Sequence, residues 1–458
     1  MQGGTLPAHL FSAEKKDPNL RLRSVTWMRF FLTLYFLAPG FANSPIQPPS
    51  SPTSKMNLRI ALLLACFTTP LLADNWPGWR GPSGDGICPD KKAPLSWTLE
   101  KDLQWKTEIP GIGHASPIIW NDAIFLVSAD EESGERLLLK LDRKTGKSLW
   151  QQTVLKSPIE KIHRKNSRAS STPATDGKLV YVSFLDKEDM FVAAYDFDGK
   201  KVWEVRPGIF SSRHGYCSSP ILWKDKVIVN GDHDGDAYLV GLDKKTGKTI
   251  WKTPRPNKTR SYCTAIIRTI EGRNQLVISG SKCVASYDPD TGKQHWIIDG
   301  PTEQYVASPV YDGKYIYMTC GFPTLHMMAI DPTGNGNVTD THVVWHTRKD
   351  PSYVPSPVVT NGYYLVVSDK GTGSCYQAQK GERLWKQKIG REHSASLVVM
   401  QDHVIFGSEK GIITVVKPGA EYKQTAQMSL GEDLSASPVI VNGQWFLRGE
   451  EHLFCIGN

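Results

Sequence analysis

Ten residues of this chain have the types and spacing to form a binding site: Arg168, Arg213, His214, Tyr216, Arg260, Tyr262, Tyr305, Tyr353, Glu392 and His393. Each stands a few residues ahead of a short Ser-Pro-type segment that recurs along the chain. Tyrosines hold one position in successive units, basic residues gather on the second to fourth units, and carboxylates on the later ones. Guanidinium and imidazole donors beside phenol rings suit a polar ligand, anionic or aromatic, or a peptide. The competing reading packs each tyrosine between strands with only its hydroxyl at the solvent edge.

No catalytic residue and no metal site emerges beside them. The chain has no Ser-His-Asp arrangement, HExxH, P-loop or usefully spaced carboxylate pair. Asp232-His233-Asp234-Gly235-Asp236 alternates carboxylates as a calcium loop does, but lacks the downstream glutamate at the required spacing, so a hairpin turn is expected there. His163-Arg164-Lys165 lies in the longest insertion, 151–170, and reads as a solvated loop. Eight cysteines occur with no two adjacent and no CxxC, which excludes zinc-ribbon and thioredoxin chemistry. Cys217 and Cys263 match in neighbouring units and are expected as buried free thiols. The net charge of +8 comes from 54 basic and 46 acidic residues dispersed along the chain, so no nucleic-acid footprint is present.

What must position these residues is a repeat. Leu141–Trp150 reads LDRKTGKSLW, Tyr195–Trp203 YDFDGKKVW, Leu242–Trp251 LDKKTGKTIW and Tyr287–Trp296 YDPDTGKQHW. Degenerate copies end at Trp345 and Trp385. An alternating strand precedes each Asp. The carboxylate can accept backbone N–H groups of the following turn, and Gly supplies positive φ. The Trp then stands on the returning strand, where its ring can cover a neighbouring unit.

The Ser-Pro segments recur eight times, centred on residues 116, 172, 219, 265, 308, 356, 396 and 437, between 40 and 56 residues apart. That is the period of four-stranded propeller blades. The last unit lacks an outer strand, while Leu103–Ile109, carrying Trp105, has no unit before it. The sequence therefore predicts an all-β, eight-bladed β-propeller of four-stranded antiparallel blades over 97–458, closed by the N-terminal outer strand at about 103–109.

Ahead of the propeller, Met56 opens an export signal. Arg59 supplies the charge, Ile60–Phe67 the apolar stretch, and Leu71-Leu72-Ala73 the cleavage end. Residues 1–55 read as an over-extended gene model or a dispensable leader, 56–73 as the signal peptide and 74–96 as a lead-in segment. Leu63-Leu64-Ala65-Cys66 is lipobox-like, so lipidation at Cys66 is the one route to a membrane. An exported, periplasmic or envelope monomer is expected.

The Asp-x-x-Thr-Gly-x-x-x-Trp turns resemble the pyrroloquinoline quinone (PQQ) repeat of quinoprotein dehydrogenases and BamB-like propellers. Asn75–Gly86, NWPGWRGPSGDG, resembles the lead-in of exported PQQ-repeat proteins of planctomycete type. The dehydrogenase side of the resemblance implies PQQ on the ring axis above calcium, beneath adjacent disulfide-bonded cysteines. This sequence has no adjacent cysteines, and its calcium ligands cannot be matched. The BamB side implies a scaffold without cofactor, binding a cell-envelope protein or a small polar ligand at the channel mouth. The expectation is the second, with a periplasmic PQQ-dependent dehydrogenase as the alternative.

Overall fold

The Asp142 turn shows how one unit folds. Asp142 Oδ1 accepts the Thr145 N–H at 2.8 Å and the Thr145 hydroxyl at 2.6 Å, and Gly146 takes φ +70°. Asp243 does the same with Thr246, next to Gly247 at φ +72°. Such turns join the third and fourth strands of the repeat units in a computed structural model that describes residues 75–457. The leader, the export signal and Cys66 lie outside the described residues.

Eight antiparallel sheets follow one another around a ring. Blade 1 runs from Ile118 to Lys156, blade 2 from Ala174 to Ile209, blade 3 from Ile221 to Pro254 and blade 4 from Ile266 to Asp299. Blade 5 runs from Val310 to Thr347, blade 6 from Val358 to Lys388 and blade 7 from Val398 to Ser429. Blade 8 takes its three inner strands from Val439–Gly457. Its outer strand is Leu103–Glu108, paired antiparallel with His452–Gly457. The N-terminal strand closes the ring. Apolar side chains of adjoining sheets fill the space between blades, as Phe125, Val182 and Phe191 do between blades 1 and 2. No helix among the described residues is long and apolar enough to cross a membrane.

The repeat tryptophans lock each blade to the next. Nε1 of Trp105, Trp150, Trp203 and Trp251 donates to the carbonyls of Arg143, Phe197, Lys244 and Pro289, each the residue after the turn aspartate of the following blade. Trp345 and Trp385 bond the Ala378 and Gly419 carbonyls in the same way. Trp296 departs from the pattern. Its Nε1 bonds Gln275 Oε1 at 2.8 Å, and Gln275 Nε2 relays the link to the Pro332 carbonyl. The outer strand here is covered by a fifth strand, Gly336–Asn337, pairing parallel with Trp296–Ile297. It comes from the long insertion in the blade 5 turn, which the repeat pattern did not predict.

The lead-in segment crosses the base of the ring. Trp76 exchanges backbone hydrogen bonds with Ile119 of blade 1, and the Pro77 carbonyl accepts from Thr175 of blade 2. Asp85 pairs with Arg268 of blade 4 at 2.8 Å. Arg80, buried and pushed down to about 10 by desolvation, donates to the Pro357 carbonyl. Beyond it, Gly86 and Cys88 bond Val399 of blade 7, and Asp90 accepts the Gly443 N–H of blade 8.

Candidate functional site: an axial cavity

The Ser-Pro segments owe their composition to the axis. The Ser116 N–H donates to Thr172 Oγ1 at 3.1 Å, Thr172 N–H to Ser219 Oγ at 3.0 Å, and Ser219 N–H to Thr264 Oγ1 at 2.9 Å. The series resumes from Ser308 to Ser356, Ser356 to Ser396 and Ser396 to Ser437. Ser116 Oγ donates to the Ser437 carbonyl at 2.9 Å. All of these hydroxyls but that of Ser308 link neighbouring blades. The register in blade 4 is thereby corrected: Thr264, not Ala265, is the residue equivalent to the other hydroxyls.

Successive side chains of an extended segment point to opposite sides, so residue i−2 shares the direction of residue i. Two positions before the hydroxyls stand His114, Ser170, Cys217, Tyr262, Val306, Val354, Ser394 and Ser435. All eight line one cavity of about 600 Å³. Thr264, Ser356, Ser396 and Ser437 line it as well. Trp79 of the lead-in segment floors it, with its Nε1 held by Ser308 Oγ at 3.0 Å.

The candidate rim residues part company here. Arg213, His214, Arg260, Tyr262 and Tyr353 line the cavity. Tyr216 and Tyr305 do not. Tyr305 is fully buried and donates its hydroxyl to the Gly300 carbonyl, while Tyr216 packs edge-on against Phe210. Tyr216 and Tyr305 stand three residues before their hydroxyls rather than two and turn away from the cavity, whereas Tyr353, also three before Ser356, reaches it. Arg168 is drawn outward to Glu131 and the Glu160 carbonyl. Glu392 stays exposed, 4.0 Å from Lys165, and His393 is buried behind the wall against Gly390.

The insertion read as a solvated loop instead supplies His163, Lys165 and Asn166 to the mouth. The signal for it was available in its length, since a long connection at a channel mouth has only the opening to fold over. The Asp232–Asp236 segment does join two strands. Asp232, however, is buried against Arg255 at 2.8 Å rather than presented as a ligand.

Burial sets the electrostatics. His114 is pushed down to about 4, first by desolvation and then by the nearby Arg448 guanidinium. His214 is lowered by burial and by Arg260, His163 and Arg213. Asp369, the single carboxylate in the lining, is raised by burial although it accepts the Val354 N–H at 3.0 Å. The Cys217 thiol is pushed up to about 12 by burial, so it is held as a thiol and not a nucleophilic thiolate. Cys217 and Cys263 are unpaired. Among the described residues one group has metal-ligand spacing, Glu432, Glu451 and His452. It lies outside the cavity lining, and Glu432 is already bonded to the backbone and ring of His452.

A family profile described as outer membrane protein assembly factor BamB matches residues 134–387 and 306–457. BamB of Nitrosomonas eutropha is 22% identical over 343 residues, covering 74% of this chain and 66% of that protein. Quinohemoprotein alcohol dehydrogenase ADH IIB of Pseudomonas putida is 28% identical over 227 residues, covering 40% of this chain and 32% of that protein. This chain thus spans a third to two thirds of the length of these relatives. The crystal structure of BamB from Moraxella catarrhalis superposes with a TM-score of 0.56 at 12% identity, over 78% of this chain and 99% of that one. With its eight blades and their Asp-Gly-Trp locks, the chain belongs to the BamB-like family of PQQ-repeat β-propellers.

Proposed function

We propose that the chain is an exported, non-catalytic propeller that binds a polar ligand or an envelope partner protein through its axial cavity and rim. The observation that carries this is the convergence of all eight interblade connections on one cavity floored by Trp79. Its volume falls in the range of small-ligand sites. Among the described residues no lining serine hydroxyl or Cys217 thiol hydrogen-bonds to a lining histidine ring, and Cys217 is held protonated by burial.

The alternative is a PQQ-dependent dehydrogenase, favoured by the alcohol dehydrogenase relative. The residues present do not fit a calcium-held quinone. The lining offers one carboxylate, biased by burial toward its protonated form, where a hard dication needs several charged oxygens. Incubating the protein with PQQ and calcium and recording the absorption spectrum is the test. No quinone uptake is expected. Stoichiometric uptake, with dye reduction by alcohols or sugars, would establish the dehydrogenase. A photo-crosslinking residue at Arg213 should capture an envelope protein in cells if the rim binds one. Export from Met56 is read out by the mass of the mature N-terminus, which separates cleavage before Asp74 from lipidation at Cys66.

A further inference from the structure

Four of the hydroxyls that line the cavity are committed on one side only. Thr264, Ser356, Ser396 and Ser437 each accept a neighbouring blade's N–H. Among the described residues none of them donates, so their O–H groups remain available to the cavity. Gln304 adds an amide whose oxygen is engaged by the Tyr353 hydroxyl at 3.3 Å. Asp369 supplies an acceptor. Convergent hydroxyl and amide donors around a carboxyl acceptor match the many hydroxyls of a sugar.

Aromatic faces stand beside them. The Tyr262 hydroxyl is tied to Ser212 Oγ at 2.9 Å, and Phe322, 49% exposed, lines the same mouth. With their polar ends satisfied inside the protein, Tyr262 and Tyr353 offer rings against which C–H faces can pack.

The mouth also gathers basic side chains, one of which lacks a counter-charge. His163 and His214 meet edge to face with centroids 5.5 Å apart, and His214 lies 6.2 Å from Tyr262. Asp234 is committed to Arg260 at 2.6 Å, and Glu409 to Lys165 at 2.8 Å. Arg213, exposed and lining the cavity, makes no hydrogen bond or ion pair among the described residues. A guanidinium without a counter-charge, beside clustered basic groups, favours an oxyanion.

We propose that the cavity is a site for an acidic saccharide. The sugar body lies on the hydroxyl ring and aromatic wall, and its carboxylate or sulfate faces Arg213 and His214. This rests on reading the cavity as a ligand site and names the ligand's class.

Isothermal titration of the full chain with digalacturonate, a monosulfated galactose disaccharide and maltose tests it, with naphthalene-2-sulfonate as a sugar-free anion. At least one acidic disaccharide should bind about tenfold or more tighter than maltose. The carboxylate and sulfate arms identify which anion is preferred. Arg213→Ala should bring the acidic sugar down to the maltose level with an unchanged melting temperature, and Phe322→Ala should weaken both sugars several-fold. Maltose binding as tightly as the acids would overturn the proposal, as would full acid binding by Arg213→Ala. Naphthalene-2-sulfonate binding without either acidic sugar, or no binding by any probe, would also overturn it. Those outcomes leave partner capture at Arg213, measured separately by crosslinking, to decide the broader reading.

Discussion

The indole of Trp203 lies against Gly247 of the next blade and donates Nε1 to the Lys244 carbonyl at 2.8 Å. The turn glycine is therefore fixed twice, by its positive φ and by the ring resting on it. Gly146, Gly292 and Gly381 stand in the same relation to Trp105, Trp251 and Trp345.

Gly247→Ala should cost about 2–4 kcal/mol, because a Cβ would come within 2.7 Å of the Trp203 ring at φ +72°. Gly272→Ala is the matched control. Its φ is +77° but nothing lies within 4 Å, so only the backbone penalty of about 1 kcal/mol remains. Urea unfolding of the two variants measures the difference, and equal losses would mean that the indole contact contributes little.

Ring closure can be tested at Trp105. Trp105→Ala should destabilise the whole propeller by about 3 kcal/mol, and deletion of 103–109 should cost more and make unfolding less cooperative. The removed strand is the edge partner of His452–Gly457. Calorimetry would show a broadened, lowered transition for the deletion.

Arg255 and Asp232 form a buried ion pair, supported by Tyr287 and the Gly280 carbonyl. Removing either partner strands the other charge in the interior, at about 3–5 kcal/mol. Replacing both, as Asp232→Leu with Arg255→Met, should recover much of that loss. A double-mutant cycle in urea checks this, and additive losses would contradict it.

Acid should weaken the fold through buried histidines. His393 is buried and pushed down to about 4 by desolvation, against about 6.5 in an unfolded chain. The unfolded state binds the proton first, so stability is complete above about pH 6.5 and falls as pH drops toward about 4. The loss amounts to about 3 kcal/mol for His393, and His114, pushed down to about 4 as well, acts in the same direction. His393→Gln should flatten the slope of unfolding free energy between pH 6.5 and pH 4.5. An unchanged slope would place the acid sensitivity elsewhere.

The fold was legible because its determinants are local and repeated. An Asp, a Gly and a Trp at fixed offsets make a turn and a contact that any unit can display on its own. The site was legible in part. The Ser-Pro segments marked the axis, but which residue faces it depends on a parity that one misplaced register reverses. Thr264 and Ala265 are both small, and nothing local distinguishes them. The distinction appears only when the Ser219 N–H of the previous blade selects the Thr264 hydroxyl. Likewise Trp79 stands far from every lining residue in sequence, and its place as the floor follows from where the lead-in crosses the base.

That crossing bears on the order in which the molecule is made. Residues 76–108 join blade 1 to blades 7 and 8, where Trp445 donates to the Pro94 carbonyl and Gly443 to Asp90. The Asp90 and Pro94 partners lie 353 and 351 residues further along the chain. The strand at 103–108 waits for His452–Gly457, although Trp76 and Pro77 can already bond blades 1 and 2. Contacts of such long sequence separation make closure the slow step. In a chain made N-terminus first, the strand at 103–108 would lack its partner until residues 452–457 had followed.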